Sequence, residues 1–277
     1  MIKLEEKISD PKKLDWEYFW RKEHRKRDEK EKDWDKIAIK FGKWIENDDY
    51  AEKLINKLII EQSDTILDLG CGEGTISIPL AKKSSKLTAI DLSERMLEQI
   101  IEKANKEGLN NINTKKMDLR DINLNNVGPH DVVIASRSVN SIFSIKDFLK
   151  NLNEIANKYV YLTIFGAENK KYEKVVAELL NKDYKTYPHY SYIFNLLVNI
   201  GISPNAENLY CESSIEYENM EDALKRIAWR LGGLNFEENK ILKKHLEEIL
   251  VLNQRGKLEN PFEKAEWVLI WWKKEGN

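Results

Sequence analysis

The stretch Ile66-Leu67-Asp68-Leu69-Gly70-Cys71-Gly72-Glu73-Gly74 decides the fold class. A short apolar run leads into three glycines at alternate positions, and a helical pattern follows. Glycine adopts positive φ without strain and leaves room for a ligand beside the backbone. The first turn of the next helix offers N–H groups that have no intrahelical partner. We therefore expect this turn to bind a polar ligand at the carboxyl edge of a parallel sheet.

Two other glycine-rich loops do not fit this stretch. A phosphate-binding loop needs Gly-x-x-x-x-Gly-Lys-Ser/Thr, and the sequence contains no such run. A dinucleotide fingerprint places its last glycine three positions after the second, whereas Gly74 follows Gly72 by two.

Outward from the loop, apolar runs typical of strands alternate with segments of helical period. The predicted strands are residues 65–69, 87–91, 111–117, 131–135 and 158–165, and the helices among them are 75–83, 93–106 and 145–157. Pro79 predicts a break or kink in the first of these helices. After residue 168 we expect helices at 172–180, 220–231 and 237–253 and strands at 206–216 and 266–272. This order predicts a doubly wound α/β sheet.

The glycine spacing resembles motif I of the class I S-adenosylmethionine (SAM) methyltransferases, and three later segments continue the resemblance. They are Ala89–Leu97, Lys115–Arg120 and His130–Arg137, in the order and at the spacing that the family shows. The resemblance covers about residues 65–165. It implies a seven-stranded, mostly parallel sheet, SAM as the methyl donor and S-adenosylhomocysteine as the product.

The resemblance also implies a cofactor site. Asp91 would accept hydrogen bonds from the ribose diol, Asp118 would accept one from the adenine amine, and Asp68 would lie near the methionine amino group. Each also has a structural interpretation: a charge at a helix N-terminus for Asp91, an Asx turn for Asp118 and ordering of the loop for Asp68. Met96 suits either the adenine face or core packing. The expected cofactor-binding residues are Asp68, Gly70, Cys71, Gly72, Gly74, Asp91, Leu92, Met96, Asp118, Leu119, Ser136 and Trp34.

The tryptophans suggest how the chain is organised, because residues 45–228 contain none of the eight. We expect an N-terminal helical cap over residues 1–50 and a SAM-binding core over 51–168. Residues 169–277 would supply the last two strands, with insertions at about 181–205 and 218–262 that cover the substrate. The tryptophan-rich flanks would form a mobile cover over the cofactor, with Trp34 the first candidate.

The sequence indicates less about the site that binds the methyl acceptor, and it assigns no catalytic residue. His24 and His189 are candidate proton acceptors. Arg137, at the end of the fourth strand, is a candidate to bind an anionic substrate. Their structural alternatives are aromatic lid packing for the histidine segments and an ion pair for the arginine.

Composition narrows the function classes. The chain has 277 residues, of which 42% are hydrophobic and 33% charged, and this composition predicts a cytoplasmic protein without a membrane span. The net charge of −2 makes nucleic acid a disfavoured methyl acceptor. Two cysteines make neither a disulfide framework nor a four-ligand zinc site, and we expect no metal. The sequence favours methyl transfer to a small molecule. A protein side-chain methyltransferase and a non-catalytic SAM-binding regulator remain alternatives.

Overall fold

The structure is a computed structural model that describes residues 14–23, 49–168, 171–183, 188–211, 214–264 and 266–274. The predicted site residues Trp34 and His24 lie outside these ranges. Among the described residues, no helix is both long enough and apolar enough to cross a membrane.

The described segments form ten strands and ten α-helices. The strands are β1 (Thr65–Leu69), β2 (Lys86–Asp91), β3 (Ile112–Lys116), β4 (His130–Ser136), β5 (Ala156–Phe165), β6 (Asn205–Leu209), β7 (Ser214–Tyr217), β8 (Val251–Leu252), β9 (Leu258–Lys264) and β10 (Trp267–Lys273). The helices are α1 (Trp16–Glu23), α2 (Tyr50–Ile55), α3 (Ser77–Ala81), α4 (Glu94–Lys106), α5 (Leu124–Val127), α6 (Ile145–Ile155), α7 (Lys171–Leu179), α8 (Tyr190–Asn199), α9 (Met220–Arg230) and α10 (Phe236–Ile249).

Seven strands form the main sheet in the order β3-β2-β1-β4-β5-β10-β6. Strands β1 to β5 pair in parallel, whereas β10 runs antiparallel to both β5 and β6. The expected seven-stranded, mostly parallel sheet is therefore confirmed. Because β1 lies between β2 and β4, the loop after β1 and the ends of those two neighbours meet at one carboxyl edge.

Local sequence explains the helices beside this edge. Ser93 is the N-cap of α4, the helix predicted over residues 93–106, and its hydroxyl oxygen accepts the Met96 N–H at 3.2 Å. Helix α3 corrects a prediction, because it covers Ser77–Ala81 rather than residues 75–83. Pro79 lies in the first turn, where a backbone N–H would have no intrahelical partner, so the missing donor costs nothing.

Helices pack on both faces of the main sheet, so its central strands are apolar on both sides. Trp20 of α1 and Trp272 of β10 are fully buried in the same core cluster. The Trp20 indole Nε1 donates to the Ile142 carbonyl at 2.8 Å. These two tryptophans are therefore core residues and not parts of a mobile cover.

A second, three-stranded sheet of order β7-β9-β8 lies between β6 and β10 in the chain and packs with α7, α9 and α10. It corrects two expectations. The predicted strand 206–216 is two strands in different sheets, and the predicted helix 237–253 ends at Ile249 because residues 251–252 pair with β9. Strand β9 was not predicted, since Asn260 and Pro261 interrupt its alternation.

Candidate active site

The glycine loop bends tightly over the end of β2. The Gly70 and Cys71 N–H groups both donate to the Ile90 carbonyl, at 2.8 and 3.1 Å. The three glycines have φ values of 70°, 54° and 87°, in a region that side chains rarely adopt. The loop conformation therefore depends on glycine at all three positions.

The three glycines differ in what surrounds them. A Cβ on Gly70 would collide with Ser138, and one on Gly74 would lie 2.8 Å from Ile100 Cγ1. A Cβ on Gly72 would meet no atom within 4 Å. Gly70 and Gly74 therefore permit close packing, whereas Gly72 borders open space that a ligand can fill.

Asp91 connects the glycine loop to α4. Its Oδ2 accepts the Gly72 N–H and its Oδ1 accepts the Ser93 N–H, both at 2.9 Å. A carboxylate has about four acceptor positions. A carboxylate at the end of β2 beside the glycine loop suits hydroxyl donors such as a ribose diol.

Asp68, in β1, is buried: its exposed fraction is 1%. The Ser77 hydroxyl donates to its Oδ2 at 2.5 Å. Burial, with a smaller contribution from the Asp91 charge, raises the pKa of Asp68 to about 6, although the Ser77 hydrogen bond opposes the shift. Burial makes the ionised carboxylate unfavourable, and a nearby cationic ligand group, such as an amino group, would stabilise it.

The apolar members of the predicted site have different environments. Leu92 is 42% exposed beside Asp91, so it can contact a ligand, whereas Met96 is 4% exposed and belongs to the buried face of α4. Cys71 is also buried, and burial raises the pKa of its thiol well above the ordinary value. The thiol is therefore protonated and unreactive at neutral pH.

Asp118 follows β3 and forms the Asx turn that was its structural alternative. Its Oδ1 accepts the Arg120 backbone N–H at 2.8 Å, and the Arg120 guanidinium forms a fork with both carboxylate oxygens. Leu119, between them, approaches the glycine loop: its Cδ1 would lie 3.3 Å from a Cβ on Gly70. The predicted adenine-binding pair thus lies beside the loop.

The end of β4 carries Ser136 and Arg137. The Tyr50 hydroxyl of α2 hydrogen-bonds to Ser136 Oγ at 2.7 Å and to the buried Thr163 hydroxyl. Thr163 Oγ1 also accepts the Arg137 N–H at 2.9 Å. Arg137 has a φ of 56°, which is strained for a residue with a side chain and is fixed here by this network.

The next residue, Ser138, connects the end of β4 to the glycine loop. Its hydroxyl donates to the Leu69 carbonyl, at the end of β1, at 2.8 Å.

Aromatic rings surround Arg137. Its guanidinium carbon lies 4.0 Å from the Tyr50 ring centroid and 5.7 Å from that of Trp267. Phe165, at the end of β5, packs on Trp267 with a centroid distance of 4.8 Å. We call Tyr50, Arg137, Phe165 and Trp267 the edge cluster.

His189 precedes α8, and its ring lies 5.0 Å from that of Tyr192. Burial lowers the pKa of His189, although the charges of Glu23 and Glu266 oppose the shift. The imidazole is therefore neutral at pH 7 and able to accept a proton. Glu266 is adjacent in sequence to Trp267 of the edge cluster.

The structure brings the described cofactor candidates together around the loop after β1, with Arg137 beside them. Sequence reasoning missed four residues that hold this arrangement: Tyr50, Ser77, Thr163 and Ser138. Ser138 follows a predicted strand end and was open to prediction. Tyr50 and Thr163 are far apart in sequence and have no local signal.

The open space at Gly72, the carboxylate of Asp91 beside it and the buried carboxylate of Asp68 fit SAM, which carries a ribose diol and an amino group. A sequence profile of the methyltransferase-domain family matches residues 66–158. An uncharacterised Haemophilus influenzae protein is 30% identical over 242 residues, which cover 86% of this chain and 88% of that protein.

One further protein is similar over part of the sequence, and one solved structure is similar in fold. A ubiquinone biosynthesis O-methyltransferase of Caulobacter vibrioides is 31% identical over 86 residues, about a third of each chain (31% of this one and 34% of the other). The structure of YcgJ from Bacillus subtilis has a TM-score of 0.56 and 14% identity over 82% of this chain and 99% of its own, which shows the fold alone. With the family profile and the fold in agreement, the chain belongs to the class I SAM-dependent methyltransferases.

Proposed function

We propose that this methyltransferase transfers the methyl group of SAM to a small-molecule acceptor bound at the edge cluster. The observation that carries the proposal is the position of that cluster, which Ser138 joins to the glycine loop through its bond to the Leu69 carbonyl. Aromatic faces beside a guanidinium suit a small organic molecule with an apolar body and a polar group.

Within the cofactor site, we assign each group a binding role. Asp91 accepts the ribose hydroxyls, Asp118 accepts the adenine amine, and ionised Asp68 lies near the methionine amino group. Gly72 leaves the space in which the ligand lies against the backbone. When bound, SAM supplies a methyl group already activated by a sulfonium.

On the acceptor side, the chain needs mainly to position the acceptor and exclude water. Positioning of two reactants can contribute about 7–11 kcal/mol to lowering a barrier in favourable cases. The edge cluster orients the acceptor, and neutral His189 is the candidate to take a proton from an acceptor hydroxyl or amine. An acceptor that loses no proton would not need it.

Two alternatives remain distinct from this proposal. A protein side-chain methyltransferase would label polypeptides, and a non-catalytic regulator would bind SAM without turnover. Nucleic acid is disfavoured because the net charge is −2.

The test has two steps. Calorimetry should first give one S-adenosylhomocysteine per chain, and Asp91→Ala should weaken binding by about 1.5–3 kcal/mol, the scale of hydrogen bonds to a charged group. The protein is then incubated with methyl-labelled SAM and cell extract separated into small molecules, protein and RNA, with Asp91→Ala as the control. Label confined to the small-molecule fraction supports the proposal. Label in protein or RNA contradicts it, and binding without label supports the regulatory alternative.

A further inference from the structure

A cavity of about 260 Å³ lies against the main sheet, away from the glycine loop. Its polar lining comes from four strands and consists of Thr65, Lys86, Thr88, Asn113, Lys115 and His130. Lys86 is the first residue of β2, whereas Asp91 of the cofactor site is the last. Five steps along a strand span roughly 16 Å, so the cavity is at the other end of β2 from the cofactor site.

The cavity also lies on the face of the sheet opposite α4. Leu87 and Ala89 belong to the same core cluster as the buried face of α4. Because side chains alternate along a strand, Thr88 between them points to the other face. There the segment that follows α5 covers the cavity with Val127 and Pro129. The cavity is therefore separate from the cofactor site in both position and face.

Two ammonium groups make the cavity positive. Lys115 Nζ donates to the Asn126 carbonyl at 2.7 Å, which uses one of its three hydrogens and holds the group in place. Neither cavity lysine pairs with a carboxylate of the described ranges, and none of the described lining residues is acidic. The neighbouring Asp131 is bound to Thr65, whose N–H and hydroxyl both donate to its Oδ2 at 2.9 Å. The cavity therefore suits an anion.

A buried hydrogen-bonded pair, Thr88 and His130, forms part of the cavity wall. His130 Nδ1 lies 3.2 Å from the Gly128 carbonyl oxygen, and Nε2 lies 3.0 Å from Thr88 Oγ1. Because a carbonyl only accepts, Nδ1 carries the hydrogen and Nε2 accepts from the Thr88 hydroxyl. Protonation of Nε2 would reverse the second bond, and the Thr88 hydroxyl hydrogen would then be available to an anion.

The charges around His130 make it a reporter of such an anion. Burial lowers the pKa of His130, and the Lys86 charge adds to this effect, whereas the Gly128 hydrogen bond and the Asp131 charge oppose it. Lys115 lines the cavity from the next strand. An anion beside the two lysines would offset their charges and favour the imidazolium.

We infer that this cavity binds a phosphate group, which Lys86, Lys115 and the Thr88 hydroxyl contact. A tetrahedral dianion presents acceptors on every side, and ammonium groups on two neighbouring strands pair with it as point charges. The volume equals the share of about eight or nine waters in the liquid, so the group can be free phosphate or part of a small ester. This inference does not depend on the cofactor site or on the methyl acceptor.

The test is an NMR titration of the full chain with inorganic phosphate and with ribose 5-phosphate. Low ionic strength is used, because salt screens exposed lysines. The proteins are the wild type, Lys86→Met, Lys115→Met, Lys115→Arg and Lys106→Met. Lys106→Met is the matched control, because it removes an exposed charge from the last turn of α4, on the other face of the sheet. Urea unfolding confirms that each variant is folded.

Amides of residues 86–88 and 113–115 should shift and saturate with phosphate. Lys115→Met should weaken binding about 10-fold, the scale of a charge-assisted hydrogen bond, and Lys86→Met, at an exposed side chain, about 3-fold. Lys115→Arg keeps the charge and should retain most of the affinity. Lys106→Met should match the wild type. Tighter binding of ribose 5-phosphate would identify an ester as the source of the group, and equal binding would identify free phosphate.

Sulfate provides a second readout, because it stays a dianion between pH 5 and 8 and so separates the titration of His130 from that of the ligand. Saturating sulfate should raise the pKa of His130 in the wild type, followed through its ring signals.

Three results would overturn the inference. One is an unchanged affinity for phosphate in Lys115→Met. Another is an equal loss in Lys106→Met, which would mean that the anion responds to overall charge alone. The third is a pKa of His130 that sulfate leaves unchanged, which would place the anion outside this cavity.

Discussion

Asp68 is a carboxylate in a place that water does not reach. Its pKa of about 6 lies above the ordinary 3.8, so the folded protein holds a proton that the unfolded chain releases between those values. The stabilising contribution of the protonated form is complete below about pH 4 and is lost as the pH rises through 6. Above that pH, the buried charge costs about 3 kcal/mol.

Asp68→Asn should remove this cost while keeping an acceptor for the Ser77 hydroxyl. Without ligand, the variant should be more stable than the wild type at pH 8, by up to about 3 kcal/mol, with a smaller difference at pH 5. Its affinity for S-adenosylhomocysteine should fall, because the amino group loses its anionic partner. Urea unfolding at the two pH values and calorimetry measure both effects. Equal stability at pH 8 would contradict the raised pKa.

Gly70 and Gly72 form a matched pair for a second prediction. Alanine at either position has an unfavourable positive φ, which costs about 1–2 kcal/mol. Gly70→Ala also collides with Ser138, so it should destabilise the fold by a further 1–3 kcal/mol or so. Gly72→Ala meets only open space and should mainly weaken S-adenosylhomocysteine binding.

Thermal unfolding and calorimetry of the two glycine variants separate these effects. If Gly72→Ala bound the ligand normally, the open space would belong to solvent rather than to the cofactor.

At the scale of elements, α1 is part of the scaffold. Buried Trp20 donates to the Ile142 carbonyl, and Trp16 of the same helix contacts the Tyr192 ring of α8 at a centroid distance of 6.3 Å. These contacts favour a fixed role for residues 16–23, against the expectation of a mobile N-terminal cover. For Trp34 it stays a prediction.

Hydrogen exchange tests this role. Amides of residues 16–23 should exchange slowly without ligand, and addition of S-adenosylhomocysteine should leave their rates unchanged. Trp20→Phe should cost about 1–3 kcal/mol of folding free energy, because the buried Ile142 carbonyl loses its donor. Tyr18→Phe, at a side chain that is 57% exposed, is the control and should change stability by less than about 0.5 kcal/mol. Ligand-dependent protection of this helix would show that α1 moves after all.

Sequence reasoning located the elements whose signals are local. Strand β1, the Ser93 cap and the acidic residues that end β2 and follow β3 are predictable from a few adjacent residues. Strand β9 was missed because Asn260 and Pro261 interrupt its alternation and because one of its two partners is distant: Glu259 pairs with Glu216, and no local pattern records that contact. The same reason hides the Tyr50–Thr163 bond, which joins residues 113 positions apart.

At the scale of the whole molecule, the second sheet has its own internal support. Arg230 of α9 forms ion pairs with Glu263 and, at 3.3 Å, with Glu173, and all three side chains are largely buried. The Tyr217 hydroxyl donates to Glu263 Oε2 at 2.6 Å. The Arg230 guanidinium thus pairs with two buried carboxylates, which lie on different elements.

Arg230→Met should therefore destabilise the protein by about 3–5 kcal/mol at pH 8, the cost of leaving buried charges without a partner. Urea unfolding at pH 8 measures this loss. Arg255→Met removes an exposed partner of Glu216 and should cost less than about 1 kcal/mol. A similar small loss in Arg230→Met would mean that the cluster is hydrated.

The position of β10 has a consequence for how the protein is made in the cell. Trp267 pairs with Phe165, so the ribosome adds this strand about a hundred residues after its neighbour β5. Until then, β5 is an uncovered edge, and such edges attract other chains. β6 also lacks β10, its partner in the main sheet, during this interval. The nascent chain therefore depends on chaperones, or on rapid closure by residues 267–273, to avoid aggregation during translation.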